Sequence, residues 1–121
     1  MKNTVIIGAT TNTSRYAFRA AETLTKYGHE IFPVGIKKGT IFGKEISSIF
    51  TRPQFEDVDT VTMYINPERQ REWYDYIIGL KPKRIIFNPG TENAELEKKA
   101  EATGIEVLEA CTLVMLGTNQ F

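Results

Sequence analysis

Most of the residues that carry enzyme chemistry are scarce in this chain. One cysteine, Cys111, and one histidine, His29, stand among 121 residues, so an internal disulfide, a cysteine-based metal site and a two-histidine relay are all excluded. The sequence contains neither metal-ligand spacing nor a Gly-x-Ser-x-Gly elbow. Lys plus Arg equals Asp plus Glu at 15 each, which removes any global field that would recruit nucleic acid or an anionic membrane. No apolar run approaches the roughly 20 residues that cross a bilayer. The Met1-Lys2-Asn3 start runs into a strand too short for a signal-peptide core. A cytoplasmic protein is expected. No Pro/Gly/Ser-rich linker or low-complexity stretch divides the chain, and residues 1–121 read as one domain.

What is there begins at Val5-Ile6-Ile7, an apolar run that leads into Gly8-Ala9-Thr10-Thr11-Asn12-Thr13-Ser14-Arg15 and then a helical pattern. A buried strand rising into a Gly turn and a helix start offers backbone N–H groups and the positive end of a helix dipole to an anion. A phosphate-binding turn is expected, with Gly8 letting a pyrophosphate approach the backbone. The G-x-G-x-x-G fingerprint is incomplete, because Thr10 and Thr13 occupy its later glycine positions. An NAD site also wants an acidic side chain about 20 residues on. The stretch there reads Pro33-Val34-Gly35-Ile36-Lys37-Lys38, and two lysines in place of a carboxylate point to a ligand with a further phosphate near its ribose. Coenzyme A, with a 3′-phosphate, and NADP, with a 2′-phosphate, both meet that description.

Alternating patterns give the element order. Strands are predicted at Thr4–Gly8, Glu30–Val34, Thr60–Ile65, Arg84–Phe87 and Ile105–Leu108, with helices near Ser14–Tyr27, after Asn66-Pro67 and from Thr91 or Asn93 to about Ala102. A helical turn is expected at Ile46–Phe50. Alternating βα units with right-handed crossovers predict an α/β fold: one Rossmann-like, doubly wound five-stranded parallel sheet of order 3-2-1-4-5. Ligands of such sheets bind beyond the strand C-termini. Gly8–Arg15, Pro33–Lys38, Tyr64–Asn66 and Asn88–Gly90 all follow strand ends and are expected to converge. Within them Gly8, Ala9, Thr10, Thr11, Ser14, Arg15, Pro33, Val34, Lys37, Lys38, Tyr64, Ile65, Asn88, Pro89 and Gly90 are the expected cofactor contacts.

The chain resembles the small CoA-binding domain family, related to the CoA-binding domain of the succinyl-CoA synthetase alpha subunit. The resemblance rests on Val5-Ile6-Ile7-Gly8-Ala9-Thr10 with Asn12 and Arg15, then Gly28-His29-Glu30-Ile31-Phe32-Pro33-Val34 and Val58-Asp59-Thr60-Val61. It continues through Asn88-Pro89-Gly90-Thr91-Glu92-Asn93, Ala102-Thr103-Gly104-Ile105 and Cys111. Three places depart from the family: Tyr64-Ile65-Asn66 replaces an aromatic-Arg pair, Phe87-Asn88-Pro89 replaces Trp-x-Gln, and Met115 stands where an acidic residue usually follows the late cysteine. The resemblance implies coenzyme A or an acyl-CoA as cofactor. Cys111 matches the family's late cysteine and joins the expected contacts, although a free cysteine also reads as a small core residue.

Catalytic residues are not apparent. Glu92, Glu95 and Glu97 cluster at a helix start, where acidic side chains complement the dipole. His29 precedes the second strand, at the end remote from the expected site. A binding module without chemistry of its own is expected. An NADP-dependent oxidoreductase, for which Tyr64 is the one candidate proton donor, and a CoA-sensing subunit acting through a partner are the alternatives. The apolar run Leu113-Val114-Met115-Leu116 is expected to pack on the sheet edge or on a second subunit.

Overall fold

A computed structural model describes residues 1–121. At its centre is β1 (Thr4–Ile7), in which every residue is buried. A strand with neighbours on both edges and helices on both faces requires an unbroken apolar run, and Val5-Ile6-Ile7 supplies it. The chain passes through the turn after Gly8 into α1 (Tyr16–Lys26), which buries Ala17, Ala20, Ala21 and Leu24 along one side. It returns as β2 (Ile31–Gly35), parallel to β1 with Val34 opposite Ile7. Helix α1 starts two residues later than Ser14 because Asn12 Oδ1 accepts the Ser14 N–H at 3.0 Å and its hydroxyl at 2.7 Å, which holds Ser14 in a turn.

Beyond β2 comes a hairpin of β3 (Thr40–Ile41) and β4 (Lys44–Glu45), turned at Phe42-Gly43, where both φ angles are positive. Then follow β5 (Ser47–Ser48) and a 3-10 turn at Ile49–Thr51. The helical turn expected at Ile46–Phe50 is therefore corrected to a two-residue strand and a later 3-10 turn. β6 (Thr60–Met63), α2 (Pro67–Gln70), a 3-10 turn at Arg71–Trp73 and α3 (Tyr74–Gly79) come next. The chain ends in β7 (Arg84–Phe87), α4 (Ala94–Ala102), β8 (Glu106–Glu109) and α5 (Thr112–Gly117). Asn66 caps α2 by accepting the Arg69 N–H at 2.9 Å, with Pro67 behind it. Asn93 caps α4 through the Leu96 N–H at 3.2 Å.

The main sheet has six parallel strands in the order β5-β2-β1-β6-β7-β8. Numbered along the chain within that sheet, the order is 3-2-1-4-5-6. This corrects the expected five strands of order 3-2-1-4-5: Thr60–Met63 pairs with β1 on the side away from β2, and the third position belongs to β5. Ser47–Ser48 is short and polar, so no hydrophobic period marks it as a strand.

Alternate residues serve the two faces. Val5 and Ile7 join Val61, Met63, Ile85 and Phe87 beneath Trp73, Ile77 and Leu96. Ile6 faces Ala21, Leu24 and Leu116. The run Leu113–Leu116 thus forms α5, which packs beside α1 on this chain's own sheet, with Leu116 in the core. No helix is long and apolar enough to cross a membrane.

Candidate functional site

Strand order reverses between β1 and β6, and their C-terminal ends form the crevice where open α/β sheets take ligands. Gly8 follows β1 and Tyr64 follows β6. Gly8 has φ +102°, and a Cβ built on it would stand 2.8 Å from the Tyr64 carbonyl oxygen. Its N–H and that of Ala9 both donate to the Val34 carbonyl, at 2.9 and 3.0 Å. These first two amides of the turn are therefore occupied by the protein. The rest of the turn is organised by Asn12: its N–H donates to Thr10 Oγ1 at 3.1 Å, and its carbonyl accepts the Arg15 N–H at 3.1 Å.

That arrangement delivers α1 to the crevice with its N-terminus open. Arg15 is the N-cap residue and makes no side-chain capping bond, and the first turn carries no acidic side chain. The amides of Tyr16 and Ala17, like those of Thr10, Thr11 and Thr13, donate to no protein acceptor. Such orphan donors at a helix start are satisfied by water or a ligand. In front of them lies a cavity of about 380 Å³ lined by Gly8, Thr10, Ser14, Arg15, Tyr16, Ala17 and Tyr64. The Arg15 guanidinium is exposed and belongs to none of the chain's three ion pairs. Arg19, one turn on, lies 5.7 Å over the Tyr16 ring. A cation at the positive end of a helix opposes its dipole, and an anion in front of Arg15 removes the conflict.

Tyr64 forms the far wall. Burial, with Cys111 nearby, pushes its phenol up to about 12, against the opposing influence of the Thr62 and Thr112 hydroxyls. It therefore stays protonated as a hydrogen-bond donor. Cys111 is half-buried at the start of α5 and does not line the cavity.

The Asn88 side chain is committed to the protein's own interior. It is 2% exposed, and its amide donates to Thr62 Oγ1 at 2.7 Å and to the Met63 carbonyl at 2.8 Å while accepting the Thr112 N–H at 2.8 Å. Its side chain thereby ties β6, β7 and α5 together. Pro89 and Gly90 lie in an exposed turn closed by Thr91, whose N–H and hydroxyl both donate to the Asn88 carbonyl. Beyond them a second hollow, of about 500 Å³, runs from Pro67 and Arg71 to Glu92 and Glu95. Glu68 also lines it, so carboxylates outnumber cations there and disfavour a phosphate.

The remaining expected contacts do not line the cavity. Pro33 and Val34 are buried in β2, Ala9 is buried, and Ile65 is half-buried against the larger core cluster. Lys37 and Lys38 are exposed in the bend after β2, with no carboxylate partner.

The model of a family described as the CoA binding domain matches residues 2–117. The chain belongs to the CoA-binding domain family. A crystal structure of an uncharacterized protein matches it at 57% identity and TM-score 0.96, over 100% of this chain and 98% of that one. A hypothetical protein from Pyrococcus horikoshii OT3 shares the fold at 22% identity and TM-score 0.83, over 97% and 82% of the two chains. Aspartate semialdehyde dehydrogenase II of Vibrio cholerae, solved with ASA, shares it at 14% identity and TM-score 0.58, over 98% of this chain and 44% of that one. No curated protein matches.

For this member of the CoA-binding domain family, the structure brings Gly8, Thr10, Ser14, Arg15 and Tyr64 onto one cavity. Sequence reasoning missed Tyr16 and Ala17, which line it, and Arg19 beside them. Knowing that the helix starts at Tyr16 would have found all three, since 16, 17 and 19 then fall in its first turn.

Proposed function

We propose that the chain binds coenzyme A, or an acyl-CoA, in the crevice between β1 and β6 and carries no chemistry of its own. The observation that carries this reading is the open N-terminus of α1, with Arg15 unpaired beside it and a cavity in front. In this reading the orphan amides and Arg15 hold the pyrophosphate, the Thr10 hydroxyl adds a contact, and the Tyr64 phenol donates. Lys37 and Lys38 then take the 3′-phosphate, in the position where an NAD site would carry its ribose-binding acid. Membership of the CoA-binding domain family supports the choice of ligand. A cytoplasmic location goes with it, and the balanced charge argues against nucleic acid as a partner.

Calorimetric titration with CoA, acetyl-CoA, NAD and NADP tests the reading. CoA and acetyl-CoA are expected to bind and NAD is not. Binding of NADP with no response to CoA would turn the reading toward an oxidoreductase, and no heat from any of the four would end it.

A further inference from the structure

We infer that Tyr16 is the base platform of the site: its ring, backed on one side by the Arg19 guanidinium, stacks with the adenine of the cofactor at the rim of the cavity. The inference rests on the coenzyme A reading and adds which group of the ligand lies on α1.

Tyr16 lines the cavity and is also the most exposed aromatic side chain of the protein, at 66%. The exposed rings of Phe42 and Phe50 rest on Phe18 and Trp73. No ring rests on Tyr16. One of its faces meets the Arg19 guanidinium, 5.7 Å from the ring centroid, and Arg19 is itself exposed and in none of the three ion pairs. The spacing of three residues on α1 makes the two side chains neighbours on one helix face. Long helical side chains lean back toward the N-terminus, which carries the Tyr16 ring toward the orphan amides and leaves its other face for a ligand.

The chemistry of the ligand decides which of its parts suits that face. Of the groups on either side of the pyrophosphate, the adenine alone is a flat π-system, whereas the pantetheine arm is a flexible chain of amides that calls for hydrogen-bond donors. The two tyrosines of the cavity divide accordingly. Tyr64, on the far wall, is a donor suited to an amide carbonyl, and Tyr16 offers a ring. A guanidinium on the back of that ring draws on its electrons and makes the front the better partner for an electron-rich purine. Stacking of this kind reads the flat face of a base rather than its edge, so it needs no further polar group at the rim. It also takes from water the apolar surface that Tyr16 otherwise exposes.

The experiment pairs calorimetry of CoA binding with proton NMR of the complex. Tyr16→Ala is expected to weaken CoA about fivefold or more, the effect of losing one base–aromatic stack. Tyr16→Phe keeps the ring without the hydroxyl and is expected to stay within about twofold of wild type, and Tyr16→Leu, apolar but not flat, to behave as the alanine variant does. Because the side chain is exposed, all three variants are expected to fold as wild type does. In the wild-type complex, nuclear Overhauser contacts are expected between the adenine H2 and H8 protons and the Tyr16 ring. An alanine variant with wild-type affinity, a phenylalanine variant as weak as alanine, or Tyr16 contacts to the pantetheine methylenes alone overturns the inference and leaves coenzyme A binding standing. A wild type that does not bind CoA defeats the functional reading and the inference with it.

Discussion

The carbonyl oxygen of Tyr64 lies 2.8 Å from the place where a side chain on Gly8 would begin. The turn after β1 and the end of β6 are in backbone contact across the sheet's reversal point, before any ligand enters. Gly8 is thus demanded by the fold, both by that contact and by its φ of +102°. The expectation that its bareness serves a pyrophosphate has a competing explanation that is sufficient by itself.

The first prediction follows. Gly8→Ala is expected to destabilise the ligand-free domain by about 1–3 kcal/mol, the range for a strained non-glycine backbone. Urea unfolding without cofactor measures it. Unchanged stability would mean that the turn yields easily, and would return Gly8 to the ligand.

Arg15 makes the opposite case. It is exposed, holds no protein partner and opposes the α1 dipole. Arg15→Ala is therefore expected to leave apo stability within about 0.5 kcal/mol of wild type. Its coenzyme A affinity is expected to fall tenfold or more, the equivalent of about 1.4 kcal/mol. Calorimetry and unfolding on the same preparation separate the two effects. A parallel loss of both would make the arginine structural.

Coenzyme A itself is expected to raise the melting point. A ligand specific for the native state at about 100 times its dissociation constant adds roughly 2.7 kcal/mol. NAD at the same concentration is expected to add nothing. A melting curve indifferent to millimolar CoA would falsify the ligand assignment.

Asn88 predicts stability rather than affinity. Removing its amide with Asn88→Ala leaves the Thr112 N–H and the Met63 carbonyl buried without partners, at a cost of about 3 kcal/mol. Denaturant unfolding reads this directly, and a loss below about 1 kcal/mol would show that water replaces the amide.

His29 supplies the acid response. Burial lowers its pKa from 6.5, and the Met1 amino group, Lys2 and Arg84 lower it further, against Asp59. Its Nδ1 also accepts the Lys2 N–H at 2.9 Å, which requires the unprotonated nitrogen. The unfolded chain therefore binds the proton more readily. His29's contribution is fully present above 6.5 and is lost as pH falls from 6.5 through the lower folded value. His29→Ala is expected to flatten the stability profile below pH 6.5. An unaltered slope would assign the acid response to other groups.

The long elements were legible because each is announced by its own composition. Val5-Ile6-Ile7 and Ile85-Ile86-Phe87 are apolar runs, and Asn66-Pro67 is a helix start in both cap and first turn. What escaped was built from tertiary contact. Ser47–Ser48 is a strand only because β2 offers it an edge, and missing it moved Thr60–Met63 to the wrong side of the sheet. The site divides the same way. Gly8, Thr10, Ser14 and Arg15 adjoin in sequence and were read together, whereas Tyr64 entered through the expected topology. The side-chain role of Asn88 is not legible in sequence, because a residue after a strand end looks the same whether its amide faces solvent or Thr112.

The three-way bond of Asn88 also governs how the domain can be made. Its acceptor group waits for Thr112, which leaves the ribosome long after β6 and β7. Until then the buried amide of a central strand end lacks its mate, and the α1 face lacks Leu116. A nascent chain that stops short of α5 holds all six strands and still cannot close the sheet's polar interior. Folding during synthesis is therefore expected to stall as a loose, protease-sensitive intermediate, with the native state committed only when that last helix docks.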